Sequence, residues 1–334
     1  MPSRILDRNV GGNTTYAREI ASRLPKHGIE VARLRSYQNP VVTMVAESFD
    51  ARTTSPQSVV HFVADTGPLL TPKMPSVVTV HGVASRWIST ARNSVQEAVW
   101  RSRVRAAIRN CDRVITVSES SANDVSAVFG LDREKISVIP HGISLNKFDS
   151  RPELSEALSS QIPNEFILYV GNIEPRKNLI ELVHAVETNV DLPPLIIAGK
   201  PAWNFADSME VISNARRTTY VGFVSDEDRA ALMSRCIAFI FPSLYEGFGF
   251  PVLEAMAAGA PVITTDRGSL KEVAGPSWIL EGTHRDAIGG GIRVALRDEA
   301  WQRSIKERGK SWASTFSWDQ SVSRHAEIYK ELLK

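Results

Sequence analysis

Phe241-Pro-Ser-Leu-Tyr-Glu-Gly-Phe-Gly-Phe-Pro-Val-Leu-Glu-Ala-Met-Ala-Ala-Gly-Ala-Pro-Val-Ile263 is the most informative stretch of the chain. An apolar strand ends near Pro242 and a glycine-bearing loop follows. Pro251 suits the first turn of a helix, and Gly259 with Pro261 stops it. Glu246 stands in the loop and Glu254 inside the helix, with seven residues between them. A helix start offers N–H groups and the positive end of a dipole to an anion. Gly247 and Gly249 let the backbone come close to a ligand, and each carboxylate can accept hydrogen bonds from sugar hydroxyls. The segment suits a phosphate flanked by polyols. It fits equally a tight strand-to-helix turn with solvated acids.

Outward from this stretch, strand-sized apolar runs alternate with helical patterns along the whole chain, which predicts parallel α/β architecture. The first half offers Arg4–Leu6, Val59–Val63, Ser76–Val80, Arg113–Val117 and Lys135–Ile139 as strands. The second offers Phe166–Val170, Leu195–Ala198, Thr219–Val221, Ala238–Phe241, Pro261–Thr264 and Trp278–Leu280. Between the halves, Asn146–Glu165 is polar, carries Pro152 and Pro163, and reads as a boundary. Two doubly wound Rossmann-like domains facing a central cleft are expected, residues 1–150 and 151–317. Ligands then gather beyond the carboxyl ends of the strands.

Three further features stand at such ends. Arg176 and Lys177 follow the first strand of the second half; Arg can grip a diphosphate by paired hydrogen bonds and Lys as a point charge. An exposed loop pair would look the same. Gly11-Gly12 follows the first apolar run and precedes a helix, without the Gly-x-Gly-x-x-Gly spacing of a dinucleotide site. His81 closes the run Ser76–Val80, where a histidine is either structural or aimed at a ligand.

The composition is that of an ordinary globular chain, 43% hydrophobic and 23% charged over 334 residues. It excludes a disordered tail, a collagen-like fibre and a small disulfide scaffold. No apolar run is long enough to cross a membrane, and no signal peptide is visible. Cys111 and Cys236 read as small buried residues in a reducing compartment. The first 150 residues hold 19 Lys and Arg against 13 Asp and Glu, the remainder 20 against 24. This asymmetry suggests that the first half meets something anionic.

Taken together, the motifs resemble the retaining glycosyltransferases of family four, which have the two-domain GT-B fold. The resemblance runs through Gly11-Gly12-x-x-x-Tyr16, Thr79-Val-His81, Val114-Ile-Thr-Val-Ser118, Val138-Ile-Pro-His-Gly142, Gly171 to Asn178, Ala198-Gly199-Lys200, Gly222-Phe-Val and Glu246 to Glu254. It implies that Glu254 binds ribose hydroxyls and that Glu246 and the amides of Phe248–Phe250 hold the donor sugar, with Gly247, Gly249, Gly171 and Phe223 alongside. Arg176 and Lys177 would neutralise the leaving diphosphate, His81 would contact the sugar, and Gly11 and Gly12 would border diphosphate and acceptor. His81 is followed by Gly82, where the family commonly carries an acid.

The expected activity is transfer of a sugar from a nucleotide diphosphate sugar, of GDP-mannose type or with UDP or dTDP, to a glycan or lipid-linked acceptor. A catalytically silent sugar-nucleotide-binding subunit and a GT-B epimerase are the alternatives. No cofactor and no metal are expected. Asp226-Glu-Asp228 resembles a metal motif, but Ser225 before it reads as a helix cap with acids in the first turn. Arg86–Arg113 holds seven Arg against Glu97 and Asp112, with Trp87 and Trp100, and Arg101, Arg105 and Arg109 recur every four residues. It suits either an anionic membrane surface or a solvated helix packing its tryptophans inward. No nucleic-acid recognition motif accompanies it. A cytoplasmic protein, peripheral on the inner face of the membrane, is expected. The aromatic C-terminal helix, 318–334, should pack back on the first domain.

Overall fold

The computed structural model describes the chain except residues 8–10, 54, 56, 89–93 and 150–151. Arg92 of the basic stretch and part of the expected boundary segment therefore lie outside the described residues. The chain divides into two compact units. One takes in Met1–Arg86, a continuation that ends at Gly142, and Ser317–Lys334; the other includes Ile143–Phe316.

The first unit is built on a parallel sheet in sequence order: β1 (Val60–Phe62), β2 (Ser76–Val80), β3 (Arg113–Thr116) and β4 (Ile136–Val138). Its strands are short apolar runs covered on both faces, as parallel sheets require. The longer helices of this unit begin with α1 (Gly12–Arg23), α2 (Pro40–Thr53), α3 (Ser94–Asn110) and α4 (Glu119–Phe129). Ser118 caps α4 by accepting the Ser121 N–H at 3.0 Å. Phe62, Val78, Val80, Val104, Ala107 and Val125 form the core.

The expected strand Arg4–Leu6 is instead part of a helical turn, Ser3–Leu6. Extended pairing is confined to one bridge, Pro2 with Leu34. Beyond it, adjacent Ile5 and Leu6 are both buried and the Asp7 N–H closes back on the Ser3 carbonyl at 2.9 Å. Two adjacent apolar residues, Ile5 and Leu6, satisfy either period, and here the local turn prevails.

The second unit carries β5 (Ile167–Val170), β6 (Leu195–Ala198), β7 (Thr218–Gly222), β8 (Ala238–Phe241), β9 (Val262–Thr264) and β10 (Trp278–Ile279). Its longer helices are α5 (Leu179–Thr188), α6 (Ala206–Asn214), α7 (Asp226–Arg235), α8 (Phe250–Ala257), α9 (Arg285–Arg297) and α10 (Glu299–Ser314). The sheet is parallel in the order β10-β9-β8-β5-β6-β7. Strands lead outward from β5 on one side, and the chain then returns to β8 on the other. This doubly wound order puts the topological switch between β5 and β8, with Ile167 opposite Ala238. The last helix, α11 (Trp318–Leu332), belongs to the first unit.

Candidate functional site

Because β5 and β8 are neighbours at the switch, the loops leaving their carboxyl ends meet. The Leu244 N–H donates to the Arg176 carbonyl at 2.8 Å. Arg176 Nη1 donates to Glu246 Oε2 at 2.6 Å and to the Tyr245 carbonyl at 3.2 Å, and its Nε lies 2.5 Å from Glu174 Oε1. Lys177 Nζ donates to Glu246 Oε1 at 2.5 Å and sits 4.7 Å from the centre of the Phe241 ring. Lys177, Glu174 and Glu246 are buried and Arg176 is partly so, two cations and two carboxylates forming a balanced quartet. Burial pushes the Glu246 carboxyl up, but Arg176 and Lys177 outweigh it and hold the group at about 2. Burial works against the Arg176 charge as well, and the Glu246 and Glu174 carboxylates raise that guanidinium above its usual range. For Lys177, burial and the neighbouring Arg176 prevail, so its ammonium is lowered.

The backbone around the quartet is held tightly. Ser269 Oγ donates to the Phe248 carbonyl at 2.7 Å and the Glu246 carbonyl at 3.0 Å. A Cβ on neighbouring Gly268, at φ 60°, would come within 2.5 Å of that Glu246 oxygen. Gly199 and Gly171 cross so closely that a Cβ on Gly199 would lie 1.8 Å from the Gly171 carbonyl oxygen. Gly247 to Phe250 carry the turn from β8 into α8, with Gly249 as its left-handed cap at φ 106°. Phe223, just past β7, is 63% exposed, and Lys200 Nζ lies 5.0 Å from its ring centre.

Glu254 projects from α8 towards α7, where its Oε2 lies 3.6 Å from Arg229 Nη1. Arg229 also reaches Asp226 at 3.1 Å. Burial raises the Glu254 carboxyl, with Arg229 opposing. Asp226, Glu227 and Asp228 occupy the first turn of α7, and Ser225 Oγ accepts the Asp228 N–H at 3.0 Å. Asp228 in turn accepts the Ser155 N–H at 2.9 Å. Among the described residues, no group of three His, Cys, Asp or Glu side chains could hold a metal. Cys111 and Cys236 are free thiols, each pushed up to about 12 by burial.

In the first unit, Gly11 caps α1 at φ 121°, its carbonyl accepting the Thr14 and Thr15 N–H groups, and Gly12 opens the helix. His81 follows β2. Its backbone N–H donates to Asp65 at 2.8 Å, and its Nε2 lies 3.0 Å from the Val63 carbonyl and so carries the hydrogen. His81 also packs edge-on against Tyr16, with ring centres 5.1 Å apart.

Tyr16 belongs to a buried network with one consistent direction. His325 Nδ1 lies 2.7 Å from the Ser321 carbonyl and must donate, so its Nε2 accepts from Tyr16 Oη at 2.8 Å. Tyr16 then accepts from Thr79 Oγ1 at 2.8 Å, which accepts from His61 Nε2 at 2.8 Å. His61 Nδ1 finally accepts the Tyr329 hydroxyl at 2.6 Å. Ser321, His325 and Tyr329 lie four residues apart on α11, so the network fastens that helix to β1 and β2.

The quartet brings together Arg176, Lys177 and Glu246, which the sequence offered as separate candidates. Sequence reasoning overlooked Glu174, Arg229, His61 and His325. Glu174 lies in the same run as Arg176, and Arg229 stands three residues after Asp226 on a predicted helix. Only the folded contacts single out the two histidines.

Two family models match: Glycosyltransferase Family 4 over residues 52–147 and Glycosyl transferases group 1 over residues 150–312. An O-antigen chain mannosyltransferase B of Escherichia coli is 31% identical over 231 residues, 66% of this chain and 60% of that protein. The chain therefore spans less than two thirds of that relative's length. Sucrose-phosphate synthase of Thermosynechococcus elongatus superposes with a TM-score of 0.76 at 21% identity, covering 97% of this chain and 94% of that one. Anabaena HepE in complex with UDP-glucose gives 0.74 at 17%, covering 97% of each chain. With both models in chain order and GT-B enzymes as structural neighbours, the chain belongs to glycosyltransferase family 4.

Proposed function

We propose that this protein transfers a hexosyl residue, with retention, from a nucleoside diphosphate sugar to a glycan or lipid-linked acceptor. The observation that carries the reading is the Glu174–Arg176–Lys177–Glu246 quartet at the switch point. As the anomeric C–O bond breaks, negative charge grows on the leaving diphosphate. Arg176 and Lys177 are the cations that would meet it, already oriented by Glu246, which is how electrostatic catalysis works best. The departing oxygen would help take the proton of the acceptor hydroxyl attacking the same face. The reading assigns this charge to side chains and invokes no metal or cofactor.

Glu254 serves the ribose hydroxyls, Glu246 and the 247–250 turn the sugar, and Gly171 and Phe223 the rest of the nucleotide. In the first unit His81 is assigned to the sugar, and Gly11 and Gly12 to the diphosphate and acceptor side. The likeness to an O-antigen mannosyltransferase favours GDP-mannose as donor. The reading places the protein in the cytoplasm, peripherally on a membrane.

A thermal-shift series with GDP, UDP, dTDP and ADP tests the donor; a ligand at 100 times its dissociation constant stabilises by about 2.7 kcal/mol. Glu254→Ala should weaken nucleotide binding, whereas Arg176→Ala should chiefly lower turnover. Nucleoside diphosphate released only with acceptor separates a transferase from an epimerase or a silent subunit. No shift and no acceptor-dependent release would overturn the reading.

A further inference from the structure

Helix α2 is amphipathic with its faces reversed. It buries Thr43, Glu47, Ser48 and Ala51 while Val41, Val45 and Phe49, four residues apart on one face, are 61%, 41% and 56% exposed. The orientation is pinned by specific partners. Arg4 Nε donates to buried Glu47 at 2.7 Å. Thr43 Oγ1 accepts the Tyr37 N–H at 2.8 Å and donates to its carbonyl at 2.9 Å. Ser48 Oγ accepts the Leu69 N–H at 3.0 Å, which seats the Leu69–Leu70 loop beside the helix and extends the apolar face with Leu70, 50% exposed.

The rim is cationic. Arg52 Nη1 donates to the Thr71 carbonyl at 2.8 Å, and exposed Lys73 follows on the same loop, its N–H on the Ala51 carbonyl. Asn110 Nδ2 donates to the Pro68 carbonyl at 3.1 Å, bringing exposed Arg109 to the loop at the end of α3. The acids of α2 are engaged, Glu47 by Arg4 and Asp50 by Arg35. On α3 itself, Arg101 pairs with Glu97 and Arg105 lies over Phe129.

We propose that the solvent face of α2, with the Leu69–Leu70 loop and the cations Arg52, Lys73 and Arg109, seats this unit on an anionic lipid surface. An apolar helix face with a basic border has the complementarity such a surface requires. A second copy meeting the same face would set these cations against themselves. The inference deepens the peripheral-membrane part of the reading above and adds an apolar contact on α2 to the Arg86–Arg113 stretch, where Val95 and Val99 of α3 are exposed as well. It rests on the lipid-linked acceptor only for its purpose. Lipid binding is measured without donor or acceptor, so its failure leaves the transferase reading standing.

The experiment is co-sedimentation with vesicles of phosphatidylcholine alone and of phosphatidylcholine mixed with phosphatidylglycerol. Wild-type protein should partition onto the mixed vesicles. Val45→Asp/Phe49→Asp should reduce partitioning by at least about tenfold. Lys73→Gln/Arg109→Gln should reduce it by about fivefold per cation. All four positions are exposed, and unchanged unfolding midpoints and nucleotide-induced shifts would show that the variants fold. Equal partitioning of wild type and the Asp variant overturns the proposal. So does a wild type that ignores both vesicles but sediments as a dimer dissociated by Phe49→Asp, which would make the face a contact between copies.

Discussion

Each unit buries a polar cluster, and the two clusters are satisfied by opposite means. The second unit pairs full charges: Arg176 and Lys177 against Glu246 and Glu174. The first joins neutral groups, His61, Thr79, Tyr16 and His325, through hydrogen bonds whose direction is set by one carbonyl, that of Ser321. Paired charges form a site that can answer charge developing on a ligand. A neutral chain answers none, but it specifies where α11 sits, because only one arrangement of hydrogens satisfies every member.

The comparison breaks most visibly at Glu246. Glu246→Ala leaves buried Lys177 and partly buried Arg176 facing one carboxylate and should destabilise the protein by about 3–5 kcal/mol, with turnover lost as well. An unfolding midpoint unchanged in urea would show that the quartet does not hold its loops.

Acid should separate the two clusters. Burial first, and neighbouring His325 second, lower His61 well below the usual value, and burial brings His325 to about 4. A histidine lowered by folding contributes stability that is complete above its unfolded value of about 6.5 and is lost as pH falls towards the folded value. For His325 alone this amounts to about 3 kcal/mol. Glu246, held at about 2, retains its contribution until pH falls below the ordinary carboxylate value of about 4.3. Between pH 6.5 and 4 the first unit should therefore loosen before the second. Hydrogen exchange that protects the first-unit strands longer than those around β5 and β8 would refute this order.

Tyr16→Phe sharpens the comparison further. It deprives Thr79 and His325 Nε2 of a partner and should cost about 1–3 kcal/mol, while nucleotide binding in the second unit stays unchanged. The smallest effect is expected where neither cluster is touched. Ser225→Ala removes the α7 cap, worth about 1 kcal/mol, and thermal unfolding should register that loss with no change in the acid profile.

The strands of the second unit were legible because buried parallel strands are continuous apolar runs; Leu195–Ala198 and Ala238–Phe241 match the expected bounds residue for residue. Arg4–Leu6 was not, since its two apolar residues carry too little periodicity to separate a strand from a turn. Lone histidines are equally ambiguous. His61 and His325 lie far apart in sequence, and nothing local tells that their rings share one network. The reversed polarity of α2 is a third case: Val41, Val45 and Phe49 stand outside, while Glu47 and Thr43 are drawn inside by Arg4 and the Tyr37 backbone.

By itself, the sequence determined the alternation of elements, the glycines at crowded strand ends and the charged residues beside them, because all of these follow from local period, backbone freedom and residue chemistry. Only the tertiary structure decided which of those residues act together. Strand order brings the β5 and β8 loops side by side, so Arg176 and Lys177 find Glu246 across some seventy residues of chain. Such a meeting depends on topology and burial, which set the protonation and orientation of every group in it and have no signature in any short stretch of sequence.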